Sequence, residues 1–258
     1  MKKKLIILTG PTAVGKTDLS IRLARTVGGE IISADSMQVY RRMDIGTAKI
    51  RPEEMEGVRH HLIDILEPTE SFNAFLFKEY ALKAANEIWE RGSIPIIVGG
   101  TGFYIQTLLY DIEFAKSDEN DGIRDELNKL YEEHGAAFLH DMLAKADPEY
   151  AAEVHENNVK KVIRAIEFYR QTGHKLSEHN TEQRERTSPY NFEYFVLSDD
   201  RAVLYERIDK RIDKMVEAGL IAEVQALLDE GVDRESVAMQ GLGYKEIASY
   251  LAGEISLD

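Results

Sequence analysis

The sequence predicts an α/β protein in which helices flank a parallel sheet, with an additional helical insertion domain. Short apolar runs rich in β-branched residues alternate with segments of helical periodicity, and the middle of the chain contains helical patterns alone. Wholly apolar strands are typical of a parallel sheet, because helices cover both of its faces. The alternation also predicts right-handed crossovers between neighbouring strands.

The first part of the chain alternates strands with helices. Its predicted strands are residues 5–9, 30–33 and 94–98, each followed by glycine or a turn residue. Residues 17–27 and 74–91 have apolar positions every three or four residues, and Gly92 follows the second of these segments. This spacing predicts two amphipathic helices, one after each of the first two strands.

The pattern changes at about residue 116, where a polar, turn-rich stretch (117–122) begins. Four segments of helical periodicity follow, at residues 123–133, 136–145, 148–155 and 158–171. Residues 174–189 are polar, and we expect a loop there. The sequence therefore predicts a mainly helical insert at residues 116–189.

The last part of the chain returns to the α/β pattern. Residues 192–197 are predicted to form a strand, and residues 201–218 a long helix. We therefore expect a discontinuous α/β core of residues 1–115 and 190–258, interrupted by the insert.

Composition narrows the functional classes. The chain of 258 residues contains no Cys, which excludes disulfides and thiolate chemistry and is typical of the reducing cytoplasm. No apolar run approaches the ~20 residues that cross a bilayer, and we expect a cytoplasmic monomer without membrane contact. The net charge of −14 argues against a protein coated in nucleic acid. Charge is nearly balanced over residues 1–115, however, so local basic clusters can still bind RNA.

The strongest motif is a P-loop, G-x-x-x-x-G-K-[ST], directly after the first strand and opening a helix. Its backbone amides and the helix N-terminus favour a pyrophosphate, Lys16 adds a positive charge, and Thr17 offers a hydroxyl to Mg²⁺. The candidate pyrophosphate ligands are Gly10, Pro11, Thr12, Ala13, Val14, Gly15, Lys16 and Thr17. The core is therefore predicted to be P-loop NTPase-like, although the loop alone does not identify the pyrophosphate compound.

Other elements of nucleotide triphosphatases are weak in this sequence. The strand at 94–98 ends in glycine rather than aspartate, and Asp199 after the last strand is more typical of a helix cap. The N-K-x-D element that reads guanine is missing, which disfavours a GTPase. A small-molecule kinase and an ATP-dependent switch remain as alternatives.

Two strand ends supply further candidate site residues. The carboxyl ends of parallel strands face the binding crevice of an open sheet, so Asp35 is expected beside the P-loop as a base or hydrogen-bond acceptor. Its alternative role is that of an N-cap or turn residue. The strand at 94–98 brings a glycine-rich turn and the Thr101 hydroxyl to the same edge.

Six motifs occur in order: G-P-T-A-x-G-K-T (10–17), S-A-D-S-x-Q-V-Y (33–40), M-D-I-G-T-A-K (43–49), H-H-L-I-D (60–64), G-G-T-G-x-Y (99–104) and G-x-G-Y-K-E (241–246). Over nearly the whole chain, they resemble the tRNA dimethylallyltransferase (tRNA isopentenyltransferase) family. The resemblance implies that the P-loop holds dimethylallyl pyrophosphate. It also implies transfer of the dimethylallyl group to N6 of adenosine 37, beside the tRNA anticodon, forming i6A. Transfer to free AMP or ATP is an alternative that the helical insert disfavours.

The resemblance also assigns catalytic roles. Asp35 would accept the hydrogen bond and proton of N6, Thr12 would lie near the leaving group, and Lys16 with Mg²⁺ on Thr17 would neutralise the pyrophosphate. Arg211 would be a further pyrophosphate ligand. It lies with Arg207 and Lys214 on one stripe of the long helix, which by spacing alone could equally be a solvated face.

The remaining assignments concern the anticodon stem-loop of tRNA. Lys160, Lys161 and Arg164 lie along one turn of a predicted helix, and such a turn is often merely a solvated surface. By resemblance, this segment and the insert bind the RNA, mainly through phosphate contacts. The tRNA-binding residues thus implied are Asp35, Ser36, Met37, Gln38, Thr101, Arg124, Val159, Lys160, Lys161, Val162, Ile163 and Arg164.

Overall fold

A computed structural model describes residues 2–114 and 122–256. The chain divides into two compact units, which we call the core unit (Met1–Leu109 with Ser188–Asp258) and the insert unit (Tyr110–Thr187). The insert unit begins at Tyr110, six residues before the predicted start at 116. Nearly all of the turn-rich stretch at 117–122 lies outside the described residues. The chain re-enters the core unit at Ser188, two residues before the predicted position.

The core unit is built on a parallel sheet, as predicted. Within the described residues its strands are β1 (Lys4–Thr9), β2 (Gly29–Ser33), β3 (His60–His61), β4 (Ile94–Gly99) and β5 (Asn191–Val196). Their order is β3-β2-β4-β1-β5, and every pairing is parallel. Strand β3 is too short for periodicity to reveal, and the sequence prediction missed it.

The register of the sheet places the ends of four strands side by side. Thr9 at the end of β1 lies opposite Gly99 of β4 and Val196 of β5, and Ser33 of β2 lies opposite Val98 of β4. The loops that follow β1, β2 and β4 therefore begin at one edge of the sheet, which is where an open parallel sheet binds its ligands.

Helices surround this sheet. Those of the core unit are α1 (Lys16–Val27), α2 (Ala74–Glu90), α3 (Gly102–Leu109), α8 (Arg201–Glu217), α9 (Leu220–Asp229) and α10 (Tyr244–Leu251). Ile21 and Ala24 of α1 pack against Ile31 of β2 and Ile96 of β4. The predictions of α1, α2 and α8 are confirmed to within a residue at each end, whereas α3, α9 and α10 were not predicted.

The insert unit is helical and has its own hydrophobic core. Its helices are α4 (Ile123–Ala146), α5 (Pro148–Glu153), α6 (Val159–Thr172) and α7 (Leu176–Glu185). Leu127, Leu139 and Leu143 of α4 pack with Val162 and Ile166 of α6. The predicted break near residue 135 is confirmed, because Gly135 has φ 81° and ψ 178° and interrupts the helical backbone of α4.

The prediction of a loop over residues 174–189 is wrong, because α7 occupies most of that segment. The segment lacks apolar periodicity, and within α7 only Leu176 belongs to the core of the insert unit. The first turn is instead attached to the fully buried Asp147. The backbone N–H and the hydroxyl of Ser177 both donate to this carboxylate, at 2.8 Å and 2.7 Å respectively. A long-range polar contact therefore fixes a helix that local sequence does not signal.

Candidate active site

The P-loop turns sharply between β1 and α1. Gly10 has φ 151°, and a Cβ there would lie only 2.6 Å from the carbonyl oxygen of Leu197. Ala13 and Gly15 also have positive φ angles, of 64° and 91°. A non-glycine residue rarely adopts such a backbone, and strain of this kind is typical of ligand-binding turns. The two glycines of the motif are therefore needed for the shape of the loop.

Lys16 is half-buried and its ammonium group reaches back across the loop. Its Nζ donates to the carbonyl oxygens of Gly10 at 2.9 Å and Pro11 at 2.7 Å. Burial lowers the pKa of Lys16, the charge of Asp35 opposes this effect, and the charge of Arg211 adds to it. The lysine charge is therefore held inside the loop and within electrostatic range of two other predicted catalytic residues.

Arg211 belongs to the same group of charges. It lies half-buried on α8, where burial lowers its pKa and the carboxylate of Asp35 counteracts this shift. The core unit thus brings Lys16, Asp35 and Arg211, from three separate elements, within electrostatic range of one another. Thr12 lies exposed in the P-loop itself. We call Lys16, Asp35 and Arg211 the charge cluster.

Asp35 follows β2 and uses one carboxylate oxygen to shape the chain. Its Oδ1 accepts the backbone N–H of Met37 at 2.8 Å and that of Gln38 at 3.3 Å. The turn-residue role considered for Asp35 is therefore real, and these two bonds engage one oxygen of the carboxylate. Such bonding leaves acceptor capacity on Oδ2 for another partner.

The segment after Asp35 is half-buried throughout Ser36, Met37 and Gln38. The Gln38 side chain is oriented at both ends, because Oε1 accepts from the Ser33 hydroxyl at 3.3 Å and Nε2 donates to the carbonyl of Thr47 at 3.3 Å. These side chains are partly accessible at the ligand-binding edge of the sheet, where a substrate can reach them.

The turn after β4 packs closely against the residue preceding Asp35. A Cβ on Gly99 would lie 2.2 Å from the carbonyl oxygen of Ala34, so this position requires glycine. The backbone N–H of Thr101 donates to the same oxygen at 3.4 Å. Thr101 is thereby held at the end of β4 beside Asp35, as predicted.

Tyr104 is a site residue that the sequence analysis did not single out. It is buried on α3, and its ring stacks on that of Phe77 with centroids 4.8 Å apart. Burial raises the pKa of Tyr104, and the charge of Asp35 raises it further, so the hydroxyl stays protonated. The signal was present, since Tyr104 is the last residue of the G-G-T-G-x-Y motif.

Helix α8 supports the P-loop with a second arginine. Arg207 forms an ion pair with Asp199 at 2.9 Å and donates to the carbonyl of Ala13 at 3.4 Å. Asp200 caps α8 by accepting the N–H of Ala202 at 2.8 Å. The acidic pair after β5 therefore has structural partners, as the helix-cap interpretation expects.

The insert unit presents Lys160, Lys161 and Arg164 as exposed residues on α6. Val162 and Ile163 on the same helix are buried in the core of the unit, and Val159 packs against it. The side chains of Val162 and Ile163 therefore cannot form the contact surface with tRNA, whereas the half-buried Val159 stays a prediction together with the three cations of α6.

Arg124 is already engaged within the insert unit. It forms an ion pair with Glu167, whose side chain is 9% exposed, while Arg124 itself is 61% exposed. Any RNA phosphate that Arg124 bound would share the guanidinium with this carboxylate. The prediction of an RNA contact at Arg124 thus concerns a residue that also holds α4 and α6 together.

The residues around the P-loop fit a divalent cation bound together with a pyrophosphate. The exposed Thr17 side chain lies in the first turn of α1, directly after Lys16, and supplies the oxygen donor that Mg²⁺ prefers. Magnesium in such sites takes one or two protein ligands, with the rest from phosphate and water.

In the described part of the chain, no helix has the length and apolar character needed to span a membrane.

These features define a class of protein, an enzyme with a P-loop core that acts on a pyrophosphate-containing substrate beside a carboxylate. A family model described as IPP transferase matches residues 38–258. A tRNA dimethylallyltransferase of Lachnoclostridium phytofermentans is 59% identical over 254 residues, covering 98% of this chain and 81% of the relative. One of Carboxydothermus hydrogenoformans is 51% identical over 258 residues, covering 100% and 83%. The chain belongs to the IPP transferase family.

Solved structures agree with this assignment. The full-length tRNA isopentenylpyrophosphate transferase of Bacillus halodurans is 46% identical, with a TM-score of 0.72 over 99% of this chain and 80% of that one. A eukaryotic dimethylallyltransferase described as acting on tRNA is 34% identical, with a TM-score of 0.86 over 98% of this chain and 64% of that one. The predicted P-loop-like fold and the predicted family are therefore confirmed.

Proposed function

We propose that this protein transfers the dimethylallyl group of dimethylallyl pyrophosphate to N6 of adenosine 37 in tRNA. The observation that carries the proposal is the charge cluster. In it, Lys16 of the P-loop and Arg211 of α8 lie within electrostatic range of the carboxylate of Asp35, which follows β2. Cations suit the departing pyrophosphate, and a carboxylate suits the acceptor amine. The names of the relatives agree with this chemistry.

The P-loop serves the leaving group. When the bond between C1 of the allyl group and the pyrophosphate oxygen breaks, that oxygen retains the electron pair and negative charge accumulates on it. Lys16, Arg211 and the backbone amides of the loop stabilise this charge, and such preorganised donors commonly contribute about 10²–10³-fold each. Thr12 lies on the same loop and is proposed to contact the leaving group.

A divalent cation is proposed to bind with the pyrophosphate, and Mg²⁺ is the ion that the P-loop chemistry favours. Thr17 would hold it through its hydroxyl. When bound, the ion neutralises part of the charge on the leaving pyrophosphate.

Asp35 serves the acceptor. The exocyclic N6 of adenine is a poor nucleophile, and it becomes more acidic as its bond to C1 forms. Oδ2 of Asp35 accepts the N6 proton, while Oδ1 keeps its bonds to the amides of Met37 and Gln38. The products are therefore the N6-dimethylallyl adenosine, pyrophosphate and a protonated Asp35, which later releases its proton to water.

The target base must leave the anticodon loop to reach this carboxylate. Ser36, Met37 and Gln38 are half-buried next to Asp35 and are proposed to hold the base, with Thr101 beside a neighbouring nucleotide. The exposed cations on α6 are proposed to contact phosphates of the anticodon stem.

A direct test uses the protein with Mg²⁺, dimethylallyl pyrophosphate and a synthetic anticodon stem-loop that contains adenosine 37. Mass spectrometry of the RNA should reveal the gain of one five-carbon group at that nucleoside. A stem-loop with guanosine at position 37 is the control and should stay unmodified. Modification of both RNAs, or of neither, would refute the proposal.

A further inference from the structure

A single carboxylate holds the loop at residues 43–48 in the core unit. Glu223, in the first turn of α9, accepts the backbone N–H groups of Asp44 at 2.9 Å and Ile45 at 2.8 Å through Oε2. Its Oε1 accepts the N–H of Gly46 at 3.2 Å and the hydroxyl of Tyr244. Three consecutive amides therefore converge on one side chain that no motif of the sequence contains. We call this arrangement the Glu223 clamp.

Tyr244 completes the clamp from α10. Its ring is 1% exposed and lies against the loop, because a Cβ on Gly46 would come within 2.5 Å of the ring carbon Cε2. Burial raises the pKa of Tyr244, and the hydrogen bond to Glu223 raises it further, so the hydroxyl remains a donor. The glycine at position 46 and the tyrosine at position 244 are thus fitted to each other.

The clamped loop in turn orients Gln38. The carbonyl oxygens of Thr47 and Ala48 accept from Nε2 of Gln38 at 3.3 and 3.5 Å. The same loop is anchored on its other side by Lys49, whose Nζ donates to the carbonyl of Tyr40 at 2.7 Å and to Asp44 at 2.6 Å. The two contacts of Nε2 engage both donors of the Gln38 amide, while Oε1, which accepts from the Ser33 hydroxyl at 3.3 Å, keeps a second acceptor site for a base.

We propose that Glu223 is a positioning residue for recognition of the acceptor adenine, acting through the loop at 43–48 on the amide of Gln38. The inference rests on the proposed function, since it takes Gln38 as a contact of the base. The remaining acceptor site on Oε1 suits an N–H of the adenine N6 amino group, and this contact requires the carbonyl and amino groups of Gln38 to face the correct way. The clamp fixes that orientation without touching either substrate.

The test is Glu223→Gln, with Glu217→Gln on the exposed end of α8 as a matched control. Glutamine replaces one acceptor oxygen with an amino group, which cannot accept from the loop amides. Because a hydrogen bond to a charged group is lost, we expect the Kd for the adenosine-37 stem-loop to rise roughly 10-fold or more. The Kd for dimethylallyl pyrophosphate should stay within about two-fold, since the P-loop lies outside the clamp. The control should change neither.

A double variant separates positioning from general destabilisation. If Glu223 acts through Gln38, Glu223→Gln should have little further effect on RNA affinity in the Gln38→Ala background. Effects that multiply, or equal losses for both substrates, would overturn the inference. Gly46→Ala should disturb the same loop, because the added Cβ would clash with the ring of Tyr244. It should likewise weaken the affinity for RNA and leave the affinity for dimethylallyl pyrophosphate unchanged.

Hydrogen exchange provides a readout that needs no activity. In Glu223→Gln, the amides of Asp44, Ile45 and Gly46 should lose protection, while those of the P-loop should not. Unchanged protection at these three amides would refute the clamp. If the wild-type protein modified no RNA, the proposed function would fail, and the exchange result would still decide on the clamp.

Discussion

Replacing Asp35 with asparagine should remove the chemistry and keep the architecture. Oδ1 of Asp35 accepts the amides of Met37 and Gln38, and an asparagine carbonyl oxygen can accept both in the same way. The segment of residues 36–38, which we propose to hold the base, should therefore keep its shape. Oδ2, in contrast, becomes an amino group that cannot take the N6 proton.

The size of the effect follows from this single loss. General-base assistance typically contributes about 10²–10⁴-fold, which corresponds to roughly 3–5.5 kcal/mol of transition-state stabilisation. The single-turnover rate of Asp35→Asn should fall within that range. A second effect should appear with pH, because the charge of Asp35 raises the pKa of Lys16 against the effect of burial. Without that charge, Lys16 loses its proton at a lower pH, and the residual activity should decline at a lower pH than in the wild type.

The assay pairs single-turnover transfer with a binding titration of the stem-loop. Asp213→Asn, an exposed aspartate on α8, is the control for a change of one charge. RNA affinity of Asp35→Asn should stay within a few-fold of the wild type. Strongly weakened RNA binding with an intact single-turnover rate would exclude Asp35 as the general base, because Asp35 would then only position the adenine.

Three further predictions concern leaving-group stabilisation, RNA binding and stability. Lys16→Ala should lower kcat/KM by about 10²-fold or more, and near wild-type turnover would exclude its role on the pyrophosphate. Lys160→Ala and Lys161→Ala should each weaken RNA binding and reduce the slope of log Kd against log salt by about 0.7–0.9, provided that each contacts one phosphate. The hydrogen bond from Arg91 holds the pKa of Glu30 below its ordinary value of 4.5. The stability from this pair should therefore be present above pH 4.5 and decline as the pH falls below it, and Glu30→Gln should lose this acid-dependent part of the Tm profile.

The sequence predicted those parts of the site whose shape depends on residues close together in the chain, namely the P-loop and the ends of the strands. The P-loop needs glycine at position 10 because a Cβ there would collide with the carbonyl oxygen of Leu197, and the P-loop motif specifies a glycine at this position. Ile31 and Ile32 in the strand preceding Asp35 are buried in the sheet, which is why the strand could be recognised. The carboxyl ends of parallel strands then meet at one edge, which is why Asp35 and Thr101 could be placed beside the loop.

Features that depend on distant partners were missed. Glu223 is an ordinary helical glutamate until Gly46 and Tyr244 are brought to it by the fold. Helix α7 has no apolar stripe and depends on Ser177 meeting the buried Asp147. Val162 and Ile163, whose side chains are buried on α6, were included among the RNA contacts because the segment was assigned by resemblance as a whole.

We propose that the P-loop, with Lys16 and Arg211, releases a pyrophosphate only as Asp35 accepts the proton of the attacked adenine. The most direct test measures pyrophosphate release and RNA modification in the same reaction. We expect one pyrophosphate for each modified stem-loop, no release when the stem-loop carries guanosine 37, and no phosphate from ATP. Phosphate release from ATP, or pyrophosphate release that proceeds without RNA at the same rate, would contradict this account.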